Sequence, residues 1–149
     1  MSIPSSIAAA FDAARLQQLI AVRFPQMQAG GRSFIIEDVG SRSARVRMTA
    51  DPRNTRPGGT IAGPAMFALA DFTVYVAIVG TLGEPGFEAV TSSLNINFLA
   101  RPEPNDMMAV AKLIRLGRRL SVGEVELFSE GVPEIVAHAV ATYALPQVK

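Results

Sequence analysis

One carboxylate stands alone in a long apolar run. From Gly63 to Val79 the sequence reads Gly-Pro-Ala-Met-Phe-Ala-Leu-Ala-Asp-Phe-Thr-Val-Tyr-Val-Ala-Ile-Val, and Asp71 is its sole charge. On a helix its neighbours three and four residues away are Phe67, Ala68, Val74 and Tyr75, so Asp71 belongs to no solvated polar stripe. A carboxylate in apolar surroundings carries a large desolvation cost unless it is hydrogen-bonded or paired. Chains that keep such a group often use it for chemistry. The competing reading is a structural Asp that bonds a nearby backbone amide. The start of the same run offers a second chemical feature. Helix N-terminal N–H groups have no partner within the helix, and the dipole there favours negative charge.

The elements around Asp71 follow from pattern. Ser5 or Ser6 is placed to cap a helix over residues 7–23, with Ile7, Phe11, Leu16, Leu19, Ile20 and Phe24 as an imperfect apolar stripe. Pro25 stops it, and Gly30-Gly31 reads as a turn. Ser33–Val39 and Ser41–Ala50 read as strands joined at Gly40; the second alternates Ala44, Val46, Met48 against Arg45, Arg47, Thr49. Asp51–Gly59 is a loop of breakers and polar residues. Pro64 suits the first turn of the helix that follows, and Gly80, Gly83, Pro85 and Gly86 are expected to end that helix. Four strand-like runs come next, at 87–99, 107–116, 119–129 and 134–144. Turns at 101–106, 117–118 and 131–133 separate them, and such short connections imply antiparallel neighbours. A helix apolar on nearly every face must be wrapped on nearly every side. The chain is therefore read as α+β, a curved antiparallel sheet around one central helix. A single sheet leaves part of that helix open, so a dimer is the natural completion.

Composition narrows the function classes. The 149 residues fit one domain with a real core; 49% are hydrophobic and 18% charged. The formal net charge of +1 gives no global argument for nucleic acid. There is no cysteine and one histidine, which removes disulfides and thiolate chemistry and leaves no His-rich metal site. Of the 14 basic side chains 12 are arginine, so any basic patch is suited to phosphate. The apolar helix is short, carries Asp71 and lacks cationic flanks, and the N-terminus lacks a signal peptide's basic start. A soluble, cytoplasmic protein is expected.

The loop-to-helix stretch resembles the PaaI-type acyl-CoA thioesterases of the hotdog fold. The resemblance rests on Gly59-Thr60-Ile61-Ala62-Gly63-Pro64 with Asp71 nine residues after Ala62. It rests also on Thr91-Ser92-Ser93-Leu94-Asn95-Ile96-Asn97-Phe98-Leu99-Ala100-Arg101-Pro102 and on Gly117-Arg118-Arg119-Leu120-Ser121-Val122-Gly123-Glu124-Val125. It covers about residues 30–145, which makes 1–29 an N-terminal helical extension and 30–149 the hotdog domain. Two positions depart from the family: Ala62 replaces the usual histidine, and Pro64 the second glycine of the turn.

The resemblance implies roles. The Gly63 amide would polarise the thioester carbonyl, and Asp71 would be general base or nucleophile. Eight residues separate the two, ~12 Å along the axis at 1.5 Å per residue. The family resolves this by building its site across a dimer interface. Thr91 maps onto a position that orients the attacking water in some relatives. Arg56 takes the place of a polar loop residue, with Asn54 two residues away. Arg101, Arg118 and Arg119 suit the phosphates of coenzyme A. Met66, Phe67 and Leu69 would line the acyl tunnel, or are plain core. Strict alternation groups Thr91 with Ser93, Asn95 and Asn97, opposite Val90, Leu94, Ile96 and Phe98. His138 is read as a strand residue, which disfavours dehydratase chemistry. No cofactor, metal or nucleic acid is expected, and the assembly would be a homodimer or a dimer-of-dimers tetramer. The competing reading is a non-catalytic acyl-CoA or small-ligand binding protein on the same scaffold, encouraged by Ala62 and Pro64.

Overall fold

The computed structural model describes residues 9–28 and 33–147. Its elements run α1 (Ala13–Arg23), β1 (Phe34–Gly40), β2 (Ser43–Met48), α2 (Gly63–Leu82), β3 (Val90–Phe98), β4 (Met107–Leu116), β5 (Leu120–Ser129) and β6 (Ile135–Ala144). The strands form one antiparallel sheet in the order β1-β2-β4-β5-β6-β3. The sheet wraps α2, as the apolar periphery of that helix requires.

Three expectations need correction. The first helix begins at Ala13, because the Asp12 side chain accepts the Arg15 N–H at 2.8 Å and caps it. Ser5, Ser6 and the Gly30-Gly31 turn lie outside the described residues. The long helix continues through Gly80 to Leu82 and stops at Gly83, whose φ of 76° lies in the left-handed region. Gly80 instead marks a close approach: a Cβ there would overlap Val39 Cγ1 of β1. Finally, the connection from Ala100 to Asp106 is no hairpin. β3 pairs with β6 at one edge of the sheet, while β4 lies between β2 and β5.

Fourteen residues of α2 are buried, from Ala65 to Thr81. Its interior threonines satisfy their own hydroxyls: Thr73 donates to Leu69 O at 2.6 Å and Thr81 to Ala77 O at 2.8 Å. Phe72 stacks on Phe34 of β1 with ring centroids 4.8 Å apart, a contact worth about 0.5–1.5 kcal/mol beyond its burial. α2 is long and apolar enough to cross a membrane by composition, yet 72% of that window is buried within the protein. It is a core helix.

The wrapping is incomplete along one stripe. Pro64 and Phe67 are exposed and Ala68 and Asp71 half-buried, a spacing of three and four residues that defines one helix face. β3 carries the neighbouring open surface, with Val90, Phe98 and Leu99 exposed.

The other sheet edge is covered by α1 and the turn after it. Leu16 and Ile20 are buried in the same core as α2. The Gln17 side chain bonds Phe34 O at 3.1 Å and the Ile36 N–H at 2.7 Å. Gln28 bonds both Phe34 O and Phe34 N, each at 3.0 Å. The two amides thus take up main-chain groups that an edge strand otherwise leaves open.

Candidate active site

Asp71 sits on the uncovered stripe of α2, held by two hydroxyls from the sheet. Thr91 Oγ1 donates to Asp71 Oδ1 at 2.8 Å. The Tyr143 hydroxyl lies 2.6 Å from the same oxygen and 2.9 Å from Asp71 O. A phenol has one proton, and the shorter approach to the charged oxygen marks the principal bond. Both hydroxyls engage Oδ1, and no hydrogen bond among the described residues reaches Oδ2. The carboxylate is therefore fixed in orientation with one oxygen available.

A bulge places Thr91 there. In the β3–β6 pairing Thr91 faces Tyr143 and Ser93 faces Thr142, so Ser92 is an extra residue. That residue reverses the alternation. Thr91 shares the concave face with Leu94 and Ile96, while Ser93, Asn95 and Asn97 face the other way, correcting the grouping that strict alternation gave. Tyr143 is 3% exposed. Burial first, and then the Asp71 charge beside it, push its phenol well above the ordinary value. It remains a proton donor across the whole neutral range. Tyr75 is pushed up to about 12 by burial and donates to Phe87 O at 2.8 Å.

Tyr143 is the site residue that the sequence reading missed. The three alternate residues of β6 that precede it, Ala137, Ala139 and Ala141, are buried alanines. A single hydroxyl-bearing residue ending a line of inward alanines is a signal that alternation could have found.

Asp71, Thr91 and Tyr143 border a cleft of about 400 Å³ whose other walls include Phe24, Met27, Phe72, Tyr75 and Phe87. The start of α2 borders a second cleft of about 660 Å³. Gly63 is there with Arg56, Met66 and Arg101, and the Phe98 ring lies so close that a Cβ on Gly63 would stand 3.3 Å from Phe98 Cζ. The loop before it is tied down by Ala62 N to Asn54 O at 2.7 Å and Arg56 N to Thr60 O at 2.9 Å. Asn54 is 4% exposed and supports the loop without lining the cleft. Phe67 is 42% exposed on the open stripe. Leu69 is fully buried in the core. Arg118 and Arg119 border a third cleft of about 600 Å³ with Arg42 and Arg115, and among the described residues no carboxylate lines it. His138 pairs with Glu124 at 2.7 Å on β6, away from Asp71.

The expected residues thus fall into three groups in one chain: the carboxylate with Thr91, the helix start with Arg56, Met66 and Arg101, and the hairpin arginines. Asp71 and Gly63 share a helix face but not a cleft, as their spacing along the axis dictates.

The profile of the thioesterase superfamily matches residues 58–136, which span the end of the loop, α2, β3, β4, β5 and the start of β6. A candidate thioesterase of Silicibacter sp. TM1040 is 38% identical, with 93% of this chain and 94% of that one covered and a TM-score of 0.81. A thioesterase of Haemophilus influenzae is 22% identical over 93% of this chain and 92% of its own, with a TM-score of 0.79. Thioesterase superfamily member 2 of Mus musculus is 18% identical over 90% and 97%, with a TM-score of 0.77. At those identities the last two speak for the fold alone. Among curated proteins none matches the sequence. With the profile spanning over half of its length and the Silicibacter protein alike almost end to end, this chain belongs to the thioesterase superfamily and has the hotdog fold.

Proposed function

We propose that the protein is an acyl-CoA thioesterase working as a homodimer, with each site shared between protomers. The observation that carries this is Asp71: a carboxylate with Oδ1 held by two hydroxyls, set on a helix face that the described residues leave partly open. A second copy is the cover that fits. The adjacent edge of β3 presents unpaired main-chain groups and exposed Val90, Phe98 and Leu99. A two-fold pairing there lays the start of the partner's α2 near Asp71 and brings the partner's Gly63 amide to the thioester.

In this arrangement the Gly63 N–H of one protomer donates to the carbonyl oxygen as negative charge develops there. Such a donor contributes about 3–4 kcal/mol to the transition state. Asp71 Oδ2 of the other protomer takes a proton from the attacking water, or attacks the carbonyl carbon itself to form a mixed anhydride that water then hydrolyses to the free acid and the regenerated carboxylate. The C–S bond breaks, and the coenzyme A sulfur leaves as thiolate and is protonated. The four arginines around the hairpin cleft suit the coenzyme's phosphates. A dimer of such dimers is compatible with the same site.

The test is free-thiol release from short, medium, long and aryl acyl-CoAs, comparing wild type with Asp71→Asn. The reading requires turnover that falls at least about 100-fold in the variant. Full activity in Asp71→Asn defeats it. Saturable binding with no turnover by wild type favours a binding protein, with Ala62 and Pro64 as the altered part of the turn. Sharing is tested by co-expressing Asp71→Asn with Gly63→Val. Each is inactive alone, and the mixed dimer regains one intact site only if the two residues act across the interface.

A further inference from the structure

The cleft beside Asp71 is closed in part by residues that belong to neither the sheet nor α2. Phe24 follows α1, and Met27 lies in the single helical turn Pro25–Gln28. The Phe24 ring meets Tyr75 edge-on, with centroids 5.8 Å apart and an interplanar angle of 88°. This wall is anchored on both sides. After it, Gln28 bonds Phe34 through N–H and C=O. Before it, Arg23 pairs with Glu84 and lays its guanidinium 4.1 Å from the centroid of Phe87, itself a lining residue. A wall pinned in this way is a fixed boundary rather than a flap.

The rest of the lining is apolar where it meets Phe24 and Met27. The Tyr75 hydroxyl is spent on Phe87 O, so that residue offers the cleft its ring. The Thr91 and Tyr143 hydroxyls are directed at Asp71. Glu88 is exposed at the rim. A thioester carbon within reach of Asp71 Oδ2 therefore has its acyl substituent among aromatic and thioether side chains, in a space of about 400 Å³.

We propose that Phe24 and Met27 form the closed end of the acyl pocket and set its depth, so that the protein accepts compact apolar acyl groups and turns long chains away. The proposal rests on Asp71 being the reactive carboxylate. Each methylene up to the wall gains burial, and the next meets Phe24 or Met27. The N-terminal segment is then a specificity element.

The experiment is kcat/KM for butyryl-, hexanoyl-, phenylacetyl-, dodecanoyl- and palmitoyl-CoA with wild type, Phe24→Ala and Met27→Ala. Phe24→Leu accompanies them should the alanine variant fail to fold. Wild type is expected to favour the compact substrates. The dodecanoyl-to-hexanoyl ratio should rise about tenfold or more in the alanine variants, with leucine between. The idea is overturned if wild type hydrolyses palmitoyl-CoA as well as hexanoyl-CoA, or if the variants scale every substrate by one factor. If wild type hydrolyses nothing, the catalytic reading fails on its own. The wall is then read by NMR binding of hexanoate and dodecanoate. Dodecanoate bound by Met27→Ala and not by wild type sustains it; equal binding, or none, removes it.

Discussion

Replacing Tyr143 by phenylalanine isolates what the sheet contributes to the Asp71 carboxylate. The change removes one oxygen from a side chain that is 3% exposed and leaves its ring, with the Tyr75 contact at 6.3 Å, in place. What is lost is a donor 2.6 Å from a charged acceptor, and such bonds are worth about 1.5–3 kcal/mol. At 1.36 kcal/mol per decade this is a fall of about 10- to 150-fold, if the bond serves the transition state in full. The loss should appear in kcat with KM nearly unchanged, because the hydroxyl orients the reacting oxygen's partner and need not touch substrate. Thr91→Val removes the longer bond to the same oxygen and should cost less. Since either hydroxyl alone still restrains Oδ1, the double variant should lose more than the product of the single losses. The assay is free-thiol release under saturating and limiting acyl-CoA, with thermal unfolding alongside. A Tyr143→Phe protein of unchanged Tm and with kcat within about twofold of wild type would refute the reasoning.

Gly80→Ala should destabilise by about 1–3 kcal/mol, because the new methyl overlaps Val39 Cγ1; an unchanged Tm means β1 can withdraw. Arg118→Ala combined with Arg119→Ala should raise KM for an acyl-CoA and leave KM for the matching acyl-pantetheine, which lacks the nucleotide, as it was; equal rises for both would detach these arginines from phosphate. Tyr75, pushed up to about 12, and Tyr143, pushed higher still, hold their protons more tightly folded than unfolded. Their contribution to stability is complete below the ordinary phenol value of 10.0 and declines as pH rises above it, so denaturant midpoints should fall between pH 9.5 and about 11.5. A flat profile there counts against the burial of both phenols.

Local pattern carried much of this fold and less of the site. The bounds of β4 are those the sequence marks, 107–116, although period two holds only in its middle: Met107–Ala109 are buried together and the register shifts between Leu113 and Arg115. The run that hides Asp71 is a helix because nothing within it breaks one. Gly80 looked like a terminator since local propensity cannot see Val39 arriving from another element. The place of β3 beside β6 was illegible for a like reason: connection length favours the sequence neighbour, while closure of the sheet around α2 favours the far edge. Thr91, singled out as a position that orients the attacking water in relatives, was grouped with the wrong neighbours, since one bulged residue inverts an alternation without changing composition. Tyr143 lies 72 residues from the carboxylate it holds, a separation that only register can bridge.

The two glutamines along β1 bear on how far assembly can go. A six-stranded sheet has two ends at which another chain could add. At one of them Gln17 and Gln28 occupy the main-chain groups of Phe34 and Ile36, and the pairing irregularity between Ile36 and Asp38 turns the remainder aside. Among the described residues β3 is the edge left to grow from. Were two copies to join there, as proposed, both remaining ends would be consumed in a single step and the doubled sheet would have no free edge. In the proposed dimer the chain would carry its own stop signal: one edge that adds a single copy, on a body whose other edge is already occupied.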